Sequence, residues 1–228
     1  MDLQKELYLN FCKNNNFDDA GKIASINQDN ELGKLILIDL CYRCNRTEVI
    51  DFTINAFPNI DYNNNINNFL TSCVEKGNIN VLKYLLEKFS NVNIHDENER
   101  IFRYACVYGQ TEIVKYLLEK YPEIIDKYSD ITTLYSFDCL FTHLCKSGLY
   151  DDVEYFILNF SNKYSDKIIF ISFYVACLNG QLEIAKLLKM EYEIDITNII
   201  IDNVSCYDTK EWLKKGCLPQ HNKIKFAN

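Results

Sequence analysis

The sequence predicts an all-α fold in which about seven helix-turn-helix repeats with short finger loops stack into one curved solenoid. Three observations predict it. One segment recurs along the chain at intervals near 32 residues. Each copy carries apolar residues at three- and four-residue spacing on both sides of a central joint, which is the signature of two short amphipathic helices. Gly or Asn stands at that joint, where a helix ends most cheaply in the left-handed conformation.

The clearest copy is Phe102-Arg-Tyr-Ala-Cys-Val-Tyr-Gly109-Gln-Thr-Glu-Ile-Val-Lys-Tyr-Leu-Leu118. It aligns with Leu70 to Leu86 around Gly77, with Phe173 to Leu188 around Gly180, and with Phe141 to Phe156 around Gly148. Weaker copies surround Asn45 and Asn15. The joints Asn15, Asn45, Gly77, Gly109, Gly148 and Gly180 lie 30, 32, 32, 39 and 32 residues apart. A lone hairpin of this size cannot bury its apolar stripe, whereas neighbours stacked on it can. The approximate units within this single domain of residues 1–228 are 4–33, 34–65, 66–96, 97–130, 131–168, 169–195 and 196–217, followed by a tail at 218–228.

The first unit reads as a cap, with Asn14, Asn15, Asn16, Asp18, Asp19 and Lys22 on its outer side and Asp19 in the slot that Ile113 fills centrally. The long interval places extra residues within 121–138, either as an extended finger or as a longer outer loop; such insertions often lie on a binding face. At the far end, Ile199 to Ile201 suggest one more inner helix, and Glu211 to Gly216 an outer helix stopped by its glycine.

The string Ala-Cys-x-x-Gly-Gln-x-Glu-Ile-Val-Lys-Tyr-Leu-Leu, from Ala105 to Leu118, resembles the ankyrin repeat, and Val92-Asn93 matches the step that precedes the next finger in that family. The resemblance covers residues 4 to 215 or so and is strongest in three copies. It implies a non-enzymatic scaffold that binds a partner protein. The Thr-Pro-Leu-His opening of the family is absent, replaced for example by Arg100-Ile-Phe-Arg103, which implies less rigid fingers. The Phe-Arg-Tyr-Ala opening and a composition rich in residues with AT-rich codons resemble the divergent ankyrin arrays of large amoeba-infecting DNA viruses. In that setting the partner is a host protein. Two alternative roles are an adaptor that recruits a host protein to a ubiquitin ligase and a structural virion protein. The first needs a C-terminal recruiting domain, for which the residues after the last repeat leave no room.

Composition narrows the function classes. Hydrophobic residues make up 48%, enough for a folded core. No run of about 18 apolar residues exists, and the charged, asparagine-rich start lacks the apolar block of a signal peptide, so the expectation is a cytoplasmic monomer with no membrane partner. The net charge of −8 and the lack of a basic stripe argue against nucleic acid.

No cofactor, metal or catalytic constellation emerges. Cys12, Cys106, Cys145 and Cys177 share one slot late in the first helix of a repeat, and Cys41 and Cys73 the slot before it, where small side chains fit between stacked hairpins. Cys12, Cys73, Cys106, Cys145 and Cys177 are expected to be buried and outside any disulfide. Cys41-x-x-Cys44 has no second pair at zinc spacing. His95, His143 and His221 are too far apart to share a metal. Asp18-Asp19 and Asp151-Asp152 fall in the first turn of a second helix, where carboxylates cap free amides and face the positive end of the dipole.

What remains is surface. The two residues before each joint point to the concave face, because the apolar slots are committed to the stack. From those pairs the candidate partner-binding residues are Arg43, Glu75, Lys76, Val107, Tyr108, Lys146 and Leu178. An aromatic anchor surrounded by polar groups is typical of protein interfaces, and Tyr108 is the first choice. The plain alternative is that these positions are merely solvated.

Overall fold

The structure, a computed structural model, describes residues 2–26, 29–89, 92–126, 131–195 and 203–217. They are helical with no strand among them. The expected inner helix at 199–201, His221 and the tail at 218–228 lie outside the described residues. The chain groups into two compact units, Met1–Ser136 and Phe137–Asn228.

The first unit holds four helix pairs: α1 (Asp2–Lys13) with α2 (Phe17–Ile26), α3 (Asn30–Arg43) with α4 (Thr47–Ala56), α5 (Tyr62–Lys76) with α6 (Ile79–Lys88), and α7 (Asp96–Val107) with α8 (Thr111–Lys120). A short α9 (Glu123–Asp126) follows. The first members pack in sequence as α1, α3, α5 and α7, and the second members α2, α4 and α6 form a parallel row. The apolar slots fill the space between the rows: Phe69, Leu70, Phe102, Ile113, Val114 and Leu117 are all buried. Inner helices bring their own starts, since Asp29 Oδ1 accepts from the Glu31 N–H at 2.9 Å and Asp61 Oδ1 from the Asn64 N–H at 3.2 Å.

The joints end the inner helices as the residue types require. Gly77, Gly109, Gly148 and Gly180 have φ of 75°, 68°, 77° and 74°, and Asn15 has 59°. At Gly109 the Gln110 N–H reaches the Ala105 carbonyl at 2.9 Å while the Gly109 N–H reaches Cys106 at 3.1 Å, a paired closure of the helix end. The Thr111 N–H then bonds the Gly109 carbonyl at 3.0 Å, a tight turn that launches the outer helix. Asn45 departs from the expectation. Its φ is not positive; the chain instead leaves α3 through an extended Cys44 with φ −113° and ψ 126°.

Three further expectations are corrected. Asp19 stands in the first turn of α2, but the residue that caps it is Asn16, whose Oδ1 accepts from the Asp19 N–H at 3.2 Å while its Nδ2 donates to Asp19 Oδ2 at 2.8 Å. Residues 127–130 aside, which lie outside the described residues, the extra residues of the long interval form neither an extended finger nor a simple loop. They enter α9 and lengthen the inner helix α10 (Ile131–Ser147) to 17 residues, because Pro122 stops α8 while no Gly or Pro interrupts 131–147. Last, the helix containing Trp212 runs Tyr207–Cys217, through Gly216 rather than stopping at it.

The second unit pairs α10 with α11 (Tyr150–Phe160) and α12 (Asp166–Leu178) with α13 (Leu182–Tyr192), and ends with α14 (Tyr207–Cys217). Thr142 Oγ1 and Ser172 Oγ, 3.0 Å apart, tie α10 to α12, and the Phe141 and Tyr164 rings stack at 4.2 Å.

The missing Thr-Pro-Leu-His lock is replaced by other bonds. His95, at the start of α7, has Nδ1 2.7 Å from Glu99 Oε1 and Nε2 3.3 Å from Glu123 Oε1. Asn93 Nδ2 donates to Asp96 at 2.5 Å, and the Tyr62 hydroxyl points to the Phe57 carbonyl at 2.7 Å.

The cysteine expectation holds. Cys12, Cys73, Cys106, Cys145 and Cys177 are buried, and none of these five is in a disulfide. Burial pushes the Cys12 thiol up to about 11 and those of Cys145 and Cys177 up to about 12. Cys206 differs: the Thr209 N–H and hydroxyl beside its sulfur lower its pKa. Thiolate is the reactive form. Timed alkylation of the native protein at pH 8 is therefore expected to mark Cys206 first and the five buried thiols last, read by peptide mass spectrometry. Early modification of most of those five would refute the repeat register.

Candidate functional site

Each inner helix of the first unit ends by presenting the two residues before its joint to solvent. Arg43 is exposed at the end of α3, its Nε 2.9 Å from Asp39 Oδ1. Glu75 is half-buried and Lys76 exposed at the end of α5. Val107 and Tyr108 are 65% and 47% exposed at the end of α7, although Ala105 and Cys106 just before them are buried. Lys146 is exposed at the end of α10 and Leu178 half-buried at the end of α12; both belong to the second unit.

The structure brings Glu75, Lys76 and Tyr108 together. The Tyr108 hydroxyl donates toward Glu75 Oε1 at 3.4 Å. Burial and the Glu75 charge raise the Tyr108 pKa. Lys76 Nζ lies over the Tyr42 ring, 4.8 Å from its centroid. Tyr104 meets Tyr108 with ring centroids 5.9 Å apart, and the Arg100 guanidinium sits 5.5 Å from the Tyr104 centroid. One strip of aromatic and charged groups thus crosses three repeats: Tyr42 with Lys76, then Glu75, Tyr108, Tyr104 and Arg100. Tyr42, Tyr104 and Arg100 were missed by reading two residues per joint. The four-residue series Arg100, Tyr104, Tyr108 on one helix face was the signal that could have found them.

At three joints, Gly77, Gly109 and Gly180, the residue that follows also clasps its inner helix to the one before. Asn78 Nδ2 donates to the Cys41 carbonyl at 2.7 Å and to that of Tyr42 at 3.1 Å. Gln110 Nε2 donates to the Glu75 carbonyl at 3.3 Å, and Gln181 Nε2 to that of Lys146 at 3.3 Å. These side chains lie so close over the preceding joint that a Cβ on Gly77 would collide with Gln110 Oε1, and one on Gly148 with Gln181 Oε1 at 2.5 Å. Glycine is needed there for space as well as for φ.

At the first step the equivalent residue is Arg46, whose guanidinium goes to Asn15 Oδ1 at 2.6 Å and to Glu48 at 2.7 Å. A cleft of about 590 Å³ opens there between α1 and α3, lined among others by Lys13, Asp39, Leu40, Arg43 and Arg46. Among the described residues no cluster of three or more His, Cys, Asp or Glu side chains is placed to hold a metal ion, and no helix is long and apolar enough to cross a membrane.

No curated protein and no solved structure matches the chain. Residues 23–130, which contain the whole strip from Tyr42 to Tyr108, match the family model of ankyrin repeats (3 copies), generally a protein–protein interaction module.

Proposed function

We propose that the chain works as a non-enzymatic scaffold, and that a partner protein docks across the inner-helix ends of the first unit. The observation that carries this reading is the partly exposed strip running through Lys76, Glu75, Tyr108 and Arg100, in which each aromatic ring is held by a neighbour on its own or the adjacent repeat. Rings so held lose little side-chain freedom on binding, and Tyr and Arg are the residues that dominate interface energies. Val107 adds apolar area beside Tyr108, and Arg43 extends the strip toward the cleft. Lys146 and Leu178 would serve the same purpose on the second unit.

Tyr108→Ala tests it. Partner affinity is expected to fall about thirtyfold, near 2 kcal/mol, because an interface anchor is removed. Stability is expected to change by less than about half a kcal/mol, since the residue is 47% exposed and outside the core in the free protein. The measurement pairs thermal melting with titration of a partner purified on the wild-type chain. Unchanged binding with normal melting would move the interface off this face, with the 121–138 stretch the next place to look. Lost binding with a large drop in melting temperature would place Tyr108 in the core and end the assignment.

A further inference from the structure

The cleft between α1 and α3 has a specific cause. Asn78, Gln110 and Gln181 each bridge from one inner helix to the carbonyls that end the one before. At the α1–α3 step the bridging slot holds Arg46, which turns to Asn15 and Glu48, and the extended Cys44 carries the chain away from α3. The gap that an amide fills at those three steps is left open. Its base is apolar, with Leu40 and Val49 buried and Leu9 half-buried. Lys13, Arg43 and Arg46 face Glu6 and Asp39 across it, and Asp39 is already engaged by Arg43 at 2.9 Å and by Lys5 at 3.9 Å. The lining therefore carries three cations against two carboxylates, Arg43 being paired with Asp39 and Arg46 with Glu48 beside the cleft, in a chain of net charge −8.

We infer that this cleft receives an extended acidic segment of the partner protein. An aliphatic side chain of that segment rests on Leu9, Leu40 and Val49, and its carboxylates meet Lys13, Arg43 and Arg46. A main-chain N–H of the segment takes the place that the Gln110 and Gln181 amides hold at other steps. The inference rests on the reading of the inner-helix ends as the docking face, to which the cleft is joined at Arg43 beside Tyr42. Opposite charge at a rim of this kind sets partner choice and association rate more than total affinity.

The test uses the full chain and a random dodecapeptide display library as the probe. Enriched sequences are expected to be net negative, with Asp or Glu next to Leu, Ile or Val. A fluorescein-labelled representative is expected to bind about tenfold more weakly to Arg43→Glu, and more weakly in high salt. The change Asn45→Gly with Arg46→Gln rebuilds the joint and its amide. It is expected to close the cleft and lose the peptide by a similar factor while melting stays level or rises, an outcome that distinguishes a binding role from a structural one. Should Arg43→Glu lower the melting temperature, the double change decides alone. Neutral or basic enriched sequences, no enrichment, or undiminished binding to the double variant would overturn the inference. Peptides weakened by Tyr108→Ala but indifferent to the cleft variants would keep the docking face and remove the acidic segment from it. Peptides indifferent to all of these changes would remove both.

Discussion

Leu117→Ala is expected to destabilise the first unit by about 2–5 kcal/mol, the usual range for emptying a fully enclosed leucine site. Leu117 is 0% exposed, on the buried face of α8 with Ile113, Val114 and Leu118. Its counterpart in the second repeat, two joints earlier, is Thr53, and on sequence grounds the same change there costs much less. The structure raises that figure. Thr53 is 1% exposed, its hydroxyl donates to the Val49 carbonyl at 2.8 Å, and it accepts from the buried Tyr8 hydroxyl at 3.1 Å. Burial also pushes the Tyr8 phenol well up, so it stays protonated and keeps a donor to satisfy. Thr53→Ala leaves that donor alone in the core, a loss of about 1–3 kcal/mol. Denaturant titration of both variants at constant m-value is the measurement. A loss at Thr53 under about half a kcal/mol would show that Tyr8 finds another acceptor.

Phe57→Ala carries the other large effect, about 3–5 kcal/mol for a buried ring. Phe57 is 2% exposed, its ring 5.7 Å from that of Tyr8. It lies directly on Gly33 within α3, where a Cβ would come to 2.6 Å from the Phe57 ring and 2.9 Å from Ile60 Cδ1. The glycine is thus kept in mid-helix for the approach of a ring, at the expense of helix propensity. Gly33→Ala in the native background is expected to cost about 1–3 kcal/mol by overpacking. With Phe57→Ala already present it is expected to cost little or to stabilise, since the space is free and alanine favours the helix. Strict additivity of the two losses in a double-mutant cycle would disprove the contact.

The repeat architecture was legible because it is written in a period. Slots such as Leu70, Phe102, Phe141 and Phe173, or Cys106, Cys145 and Cys177, recur where the stack needs them and are buried there. What the period hid were departures that depend on a partner remote in sequence. Asn45 has the residue type of a left-handed joint, yet the neighbouring Arg46 commits to Asn15 and Glu48 and the helix ends differently. Thr53 reads as a weak version of Leu117 until Tyr8, 45 residues away, is seen to need it. At the candidate surface, exposure before each joint followed directly from the slot assignment. Tyr42 and Arg100 did not, because their place is set by Lys76 and Tyr104 coming to meet them.

The amide clasps give the array a direction. An inner helix such as α5 does not complete its own end: the carbonyl of Glu75 is satisfied by Gln110 from the hairpin that follows, as that of Lys146 is by Gln181. During synthesis from the N-terminus, a hairpin whose inner helix is clasped in this way therefore waits for the clasping hairpin to emerge from the ribosome before its last turn is secured. Truncation from the C-terminal side removes a clasp along with the hairpin that bears it, whereas truncation from the other side removes only a hairpin that was being clasped. Amide exchange at the ends of α3, α5 and α10 is accordingly expected to accelerate when the chain is shortened past the hairpin that clasps each of them.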